Sequence, residues 1–366
     1  MKLVMPRESL LKPLAAVIGV VERRQTLPVL ANVLMQAREG RLTLTATDLE
    51  VELVAQADLP AETDGEITLP ARKLHDILKS LPDEAEVTLA VDGERALLKS
   101  GRSRFQLATL PAHDFPNTGD LRFEAELPLA QAALKRLIER TQFAMAQQDV
   151  RFYLNGLLLD WTGSELRAVA TDGHRLALCA VAVEGVTAAP LQVILPRKGV
   201  QELGRLLGDG ETPAVLRIGT NHAQVVLGDI RFTTKLIDGK FPDYERVLPR
   251  VGSRAILADR LVLRTALTRA AILSNEKYRG VRLQAGDWLL KVQAHNPEQE
   301  EAEEEVEVNY SGEAFEIGFN VAYLLDALGA LPGELVKLAF TDSSSSCLIQ
   351  DPESDSARYV IMPMRL

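Results

Sequence analysis

A chain of 366 residues, 46% hydrophobic and 25% charged, is long enough for two or three domains that each bury a core. Its net charge of −10 excludes a protein that grips nucleic acid over its whole surface, because counterion release needs clustered Lys and Arg; a local basic patch remains open. The apolar start is too short and too interrupted by charge for a secretory signal, no apolar run reaches spanning length, and Cys179 and Cys347 lie far apart. These features point to a cytoplasmic protein with no membrane partner, no disulfide framework, no metal and no cofactor.

The first predicted element is an amphipathic helix striped by Leu10, Leu14, Val17, Ile18 and Val21, with Pro13 tolerable only within about its first turn. Arg23 and Arg24 follow. Val29 to Ala37 and Leu42 to Ala57 alternate with period two, the latter on both sides of a Thr47-Asp48 turn, which predicts an antiparallel hairpin. A strand, EITLP, leads into a second helix with Leu74, Ile77, Leu78 and Leu81 inward. AEVTLAVDGERALLKS, turning at Asp92-Gly93, and SRFQLATL then complete a meander.

The same order recurs. Ala130, Ala133, Leu134, Leu137, Ile138 and Thr141 stripe a helix, and Leu157 to Asp160 with Leu166 to Val183 supply a sheet. LQVILP then precedes a helix carrying Val200, Leu203 and Leu207. A third round follows LPRVGSRAILAD, read as a linker, with Asp259 as helix N-cap and Leu263, Leu267, Ala270 and Ala271 on the buried face. Val321, Leu324, Leu325 and Leu328 stripe its second helix, and RYVIMPMRL ends the chain as a strand. The steps from Asp48 to Asp172 and from Asp172 to Asn296 are both 124 residues, and Phe105 to Phe232 to Tyr359 are both 127. The fold class is therefore α+β, three repeated domains at 1–122, 123–250 and 251–366, each with two helices on antiparallel sheets.

Two of the helices begin with cations, Arg72-Lys73 and Arg197-Lys198, although a cation in the first turn opposes the macrodipole at about 0.3 to 1 kcal/mol each. Helix stability does not account for them; an anionic partner, phosphate, would. Lys135, Arg136, Arg140, Arg205, Arg264 and Arg269 would extend that basic surface. The chain also has unlike ends. Phe105 and Leu107 alternate with Arg104 and Gln106 on an edge strand after Lys99 and Arg102, whereas 298 to 305 is rich in glutamate. Such ends suit head-to-tail association of identical chains, closing as a ring or running on as a filament.

ATDGHRLAL, LPRKGV, KFPDYERVLP, AAILSNEKYRGVRL, NPEQEEAEEE and the ending VIMPMRL resemble the bacterial sliding-clamp family, the β subunit of DNA polymerase III, and the likeness runs through the whole chain. The resemblance implies a DNA clamp fold, assembled as a head-to-tail homodimeric ring with helices around double-stranded DNA and sheets outside. It also implies a non-catalytic processivity factor for DNA replication, not an enzyme. Similarity places Arg24, Gln148 and Tyr153 near DNA, with Phe152 where the family pattern has a second tyrosine; Arg72, Lys73, Arg197 and Lys198 join them from the macrodipole reasoning.

A second implied site is an apolar cleft for short linear motifs of the polymerase III α subunit, the clamp loader complex, other polymerases and repair proteins. Matching positions are Leu154, Thr171, Gly173, His174, Arg175 and Leu176, then Pro242, Arg246 and Val247. Asn320, Tyr323, Ser344 and Ser346 follow, with Val360, Met362, Pro363, Met364 and Arg365 from the tail. Ser344 stands where relatives often carry an aliphatic residue. The dimer interface is assigned to Lys73, Arg102, Arg104, Phe105 and Leu107 on one side and Ile272, Leu273, Glu300, Glu301, Glu303 and Glu304 on the other.

Two other classes account for parts of the sequence. Asp172 and His174 invite an acid/base reading, but no nucleophile or third member accompanies them, and Ser9-Leu10-Leu11-Lys12 matches S-x-x-K by spelling alone. A scaffold of stacked repeats without DNA is consistent with triplication as well.

Overall fold

The computed structural model describes residues 1–21, 27–249, 254–342 and 344–365. Arg23 and Arg24 lie outside the described residues, as does most of the segment joining the second and third repeats.

The first repeat runs β1 (Lys2–Pro6), α1 (Arg7–Val17), β2 (Asn32–Arg38), β3 (Arg41–Thr47), β4 (Val51–Asp58) and β5 (Gly65–Pro70). It closes with α2 (Ala71–Ser80), β6 (Glu86–Asp92), β7 (Arg95–Ser100) and β8 (Ser103–Ala108). The second runs β9 (Ala125–Ala130), α3 (Gln131–Glu139), β10 (Gly156–Trp161), β11 (Glu165–Thr171), β12 (Arg175–Ala182) and β13 (Leu191–Pro196). Then come α4 (Arg197–Leu206), β14 (Pro213–Ile218), β15 (His222–Leu227) and β16 (Ile230–Lys235). The third comprises β17 (Arg254–Asp259), α5 (Arg260–Ala270), β18 (Gly280–Gly286), β19 (Leu289–His295), β20 (Glu301–Asn309) and β21 (Phe315–Asn320). Its last elements are α6 (Val321–Ala330), β22 (Leu335–Phe340), β23 (Cys347–Asp351) and β24 (Ser354–Ile361).

Each repeat thus opens on a strand that the helix-first reading overlooked. In β1 the alternation is present but short, with Leu3 and Met5 buried; RAILAD, taken for linker, is β17; and Ala130, assigned to a helix, ends β9. These strands earn their place by pairing: β1 with β6, β9 with β14, and β17 with β22. Pro13 also departs from expectation, sitting well inside α1. It removes the bond to the Ser9 carbonyl and costs about 3 kcal/mol. Burying Leu10, Leu14 and Val17 at about 1.5 to 3 kcal/mol each outweighs that loss. The β6–β7 turn falls one residue later than read: Asp92 pairs with Arg95, so Gly93 and Glu94 form the loop and Gly93 takes φ +60°.

Compactness divides the chain differently from its repeats. One unit comprises Met1–Leu134 with Lys198–Leu236, the other Lys135–Arg197 with Ile237–Leu366. The first contains a four-stranded sheet, β1-β6-β7-β8, and an eight-stranded sheet, β5-β2-β3-β4-β16-β15-β14-β9. The second contains a twelve-stranded sheet, β13-β10-β11-β12-β24-β23-β22-β17-β20-β19-β18-β21. The fourth strand of one repeat therefore pairs with the eighth strand of the next, as β4 with β16 in one unit and β12 with β24 in the other. Register is preserved: Thr234 faces Val51 and Phe232 faces Leu53, while Ile361 faces Arg175 and Tyr359 faces Ala177. Both cysteines are buried free thiols, and desolvation raises the pKa of each.

Candidate functional site

Thr171 and Asp172 build the β11–β12 turn. The Thr171 hydroxyl donates to the Arg175 carbonyl at 2.6 Å and accepts from the Gly173 N–H at 3.1 Å. Asp172 Oδ1 accepts from the N–H groups of His174 and Arg175 at 2.9 and 3.1 Å, which is an Asx turn. Thr47 and Asp48 repeat the arrangement in the first hairpin, with Asp48 Oδ1 accepting from Glu50 and Val51. The third copy is looser, since Asn296 Oδ1 reaches the Glu300 N–H across a longer loop. Position three of the turn needs positive φ: Leu49 has φ +78° and Gly173 +89°, and a Cβ on Gly173 would stand 3.1 Å from the Arg151 guanidinium.

Arg175 is the hub beside this turn. Its Nε donates to Asp172 Oδ2 at 3.1 Å, Nη1 to Asp326 Oδ2 at 2.5 Å and Nη2 to the Phe143 carbonyl at 2.7 Å. The guanidinium lies 4.3 Å from the Tyr323 ring centroid and 5.4 Å from that of Phe143. With Asp172 held by two turn N–H groups and a guanidinium, the acid/base pair suggested by Asp172 and His174 is a turn and its exposed neighbour.

Next to Arg175 opens an apolar pocket of about 190 Å³. Nine of the expected residues line it: Leu154, Thr171, Gly173, Arg175, Leu176, Pro242, Val247, Val360 and Met362. Arg151, Phe241 and Tyr244 complete the wall; only the pairing of Phe241-Pro242 with Phe115-Pro116 in the repeat could have pointed to any of them. Tyr244 is locked in place, its hydroxyl donating to Asp160 Oδ2 at 2.5 Å and accepting from Arg167 at 3.1 Å, and burial with Asp160 pushes its pKa up to about 12. The tail is tethered at two points, Met362 N–H to the His174 carbonyl at 2.9 Å and Met364 N–H to the Gly318 carbonyl at 2.8 Å.

The remaining expected pocket residues do not line it. Arg246 is exposed and paired with Asp243, Asn320 caps α6 through the Ala322 N–H, and Tyr323 lies under Arg175. Ser344 is exposed against Asp342, Ser346 is half-buried ahead of β23, Pro363 and Met364 are half-buried and Arg365 is exposed.

The cations expected to face phosphate are more engaged than the sequence suggested. Arg72 donates to the Val21 carbonyl, Arg197 to the Met145 carbonyl at 3.2 Å, and Lys198 pairs with the buried Asp48 carboxylate. Arg205 donates to the carbonyls of Ala15 and Ala16 in the last turn of α1, where a cation is favourable. Arg269 is held by Glu304, and Lys135 by Glu139. Cations that oppose their own helix thus stabilise another helix end or a turn. Lys73 and Gln148 are exposed, Phe152 is 56% exposed, and Tyr153 packs partly against the core beneath the pocket. The Gln148 loop is braced by Asp149, whose pKa the Arg151 guanidinium lowers to about 2.

Of the residues assigned to a dimer interface, Arg102, Arg104 and Ile272 are exposed, Phe105 and Leu273 are half-buried, and Leu107 points into its own sheet at 7% exposure. Glu300, Glu301 and Glu303 are exposed and Glu304 is half-covered by Arg269. No described helix is long and apolar enough to cross a membrane.

Three copies of one α+β unit, joined through shared sheets and carrying an apolar pocket beside the chain's tail, define a DNA clamp. Models of the N-terminal, central and C-terminal domains of the DNA polymerase III beta subunit match residues 1–119, 128–243 and 245–365. The chain is 57% identical over 362 residues to the beta sliding clamp of Pseudomonas putida, covering 98% of each. A crystal structure of the DNA polymerase III subunit beta from Pseudomonas aeruginosa aligns with a TM-score of 0.98 and 55% identity, covering 100% of both chains. The sliding clamp of Caulobacter crescentus, with polyethylene glycol bound in the region ascribed to β-motif tethering, aligns at 0.95 and 40% identity over 100% of this chain and 99% of that one. The chain belongs to the DNA polymerase III beta-subunit family, the sliding clamps, and is a non-catalytic processivity factor.

Proposed function

We propose that domains 1–122, 123–250 and 251–366 of this chain close head to tail with those of a second copy, encircling duplex DNA in the cytoplasm. A ring that cannot leave DNA sideways needs only weak, sequence-independent phosphate contacts, which reconciles a net charge of −10 with a DNA partner. Arg24, Arg72, Lys73, Gln148, Phe152, Tyr153, Arg197 and Lys198 are the proposed DNA-facing set; exposure of Lys73, Gln148 and Phe152 supports the reading.

The observation that carries closure is the repeated sheet junction. Strand four pairs with strand eight of the next repeat twice, in one register. Among the described residues β8 pairs only with β7, and the β17-facing edge of β20 pairs only at Val308 and Asn309. Continuing the register sets Phe105 opposite Ala302 and Arg104 opposite Glu303 of a second copy, so opposite charges face each other. The surface assigned to closure also includes Lys73, Arg102, Leu107, Ile272, Leu273, Glu300, Glu301 and Glu304.

The pocket beside Arg175 receives linear motifs of the polymerase III α subunit, the clamp loader complex and other polymerases and repair proteins. His174, Arg246, Asn320, Tyr323, Ser344, Ser346, Pro363, Met364 and Arg365 serve as its wider margin. Two or three buried apolar anchors yield roughly 3 to 9 kcal/mol before ordering costs, so partners bind at about micromolar strength or weaker and exchange.

Retention on DNA tests the proposal. Loaded onto a nicked circle, the protein should remain; after the circle is cut, it should run off the ends. Equal loss from circular and linear DNA would reject encirclement.

A further inference from the structure

The first unit contains a cavity of about 410 Å³ on the sheet face that corresponds, repeat for repeat, to the face under the docking pocket of the second. Glu52, Phe115 and Pro116 line it where Leu176, Phe241 and Pro242 line the other. In the second repeat this face is occupied by the chain's own Tyr244, which shares one core cluster with Leu158, Val169 and Leu178 and whose hydroxyl reaches Asp160. In the first repeat the counterparts of those three residues, Leu34, Thr45 and Val54, line open space. The counterpart of Tyr244 is Thr118, which is too short to cover them and turns instead to Glu52. The cavity exists because the plug is missing.

We propose that this cavity is a second docking site, for a segment of a partner protein that presents a tyrosine beside a basic residue. The partly apolar floor of Leu34, Val54 and Phe115 accepts the ring, as the equivalent floor accepts Tyr244. Gln36 and Thr43 occupy the places of Asp160 and Arg167, the two groups that bind the Tyr244 hydroxyl, and offer it hydrogen bonds. Charge selects the neighbour. Glu52 and Glu66 line the cavity together with a single arginine, Arg231, where the second repeat has Leu176 and Gln192, so carboxylates outnumber the cation, and each carboxylate keeps lone pairs beyond those used by Thr118, or by Gln36 and Arg38. A basic side chain is thereby favoured here and not at the apolar pocket. Tyr244, which covers the equivalent face in the second repeat, serves as the template for the aromatic part.

The test uses the full chain and a fluorescent, capped peptide of sequence Ser-Tyr-Lys-Gly, read by anisotropy. Saturable binding is expected, weakened about tenfold or more when the peptide's tyrosine is replaced by alanine. Thr118→Tyr, which restores the internal plug, and Glu52→Lys, which reverses the charge at the cavity wall, should each abolish saturation, with thermal unfolding unchanged as the check on folding. Absence of saturation with the unsubstituted chain, or unchanged affinity in either variant, would overturn the proposal; the latter result would place the peptide in the apolar pocket instead.

Discussion

The Tyr244 hydroxyl shows how a single side chain decides whether a sheet face is closed or open. Buried at 4% exposure and donating to Asp160, it holds its proton to about pH 12, whereas an ordinary tyrosine ionises near 10. Between those values the unfolded chain releases a proton that the folded chain retains, so stability falls as pH rises through that window. Titration of phenolate absorbance should reveal a step near pH 12 that Tyr244→Phe removes; if the variant titrates identically, the hydroxyl is not held as described. Nothing in the local sequence singled out Tyr244, because its partners Asp160 and Arg167 are distant in the chain. Asp172 was legible, because its own backbone neighbours are its partners and its sister Asp48 stands at the same offset.

Elements were legible where their periodicity was long. The predicted helices and hairpins formed, apart from end residues such as Ala130, which belongs to β9, and Val29, which lies in a 3-10 turn, because the backbone partners of those residues lie within a few positions in sequence. The leading strands β1, β9 and β17 were missed because five or six residues carry too little alternation, and their stability comes from pairing with strands about 80 residues downstream. The intramolecular acceptors of the helix-start cations were illegible for the same reason, as they lie on other elements. Lys198 is the clearest instance: its partner Asp48, with a side chain only 6% exposed, also holds two N–H groups of the β3–β4 turn. Asp48→Ala leaves those two turn donors without their acceptor, removes the ion pair with Lys198, and should cost about 1 to 3 kcal/mol. Asn296→Ala, at the exposed third copy, should cost about 1 kcal/mol or less. Midpoints of thermal unfolding measure both, and equal losses would contradict the asymmetry.

At the scale of the molecule the repeat is a unit of sequence while the sheet is continuous across repeats, since β4 joins β16 and β12 joins β24. Three repeats in a chain make two such junctions, and the proposed ring assigns the remaining strand of each kind, β8 and β20, to a second copy. The backbone geometry of β8 allows that step to be tested without disturbing the fold. Gly101 and Arg102 form a two-residue turn with Gly101 at φ +53°, and Ser100 faces Ser103 as the closing pair. In such a hairpin the N–H groups of Ser103, Phe105 and Leu107 bond to β7, and those of Arg104 and Gln106 point away from it. Gln106→Pro removes an outward donor and inserts a ring on the free edge, a position where proline is tolerated. The variant should retain its unfolding midpoint within a few degrees yet dissociate to monomer at concentrations about tenfold or more above those at which the unsubstituted chain does so. Sedimentation at graded concentration distinguishes the outcomes. Unchanged association would mean that β8 does not pair with a second copy, and the closed ring would have to be built through another surface.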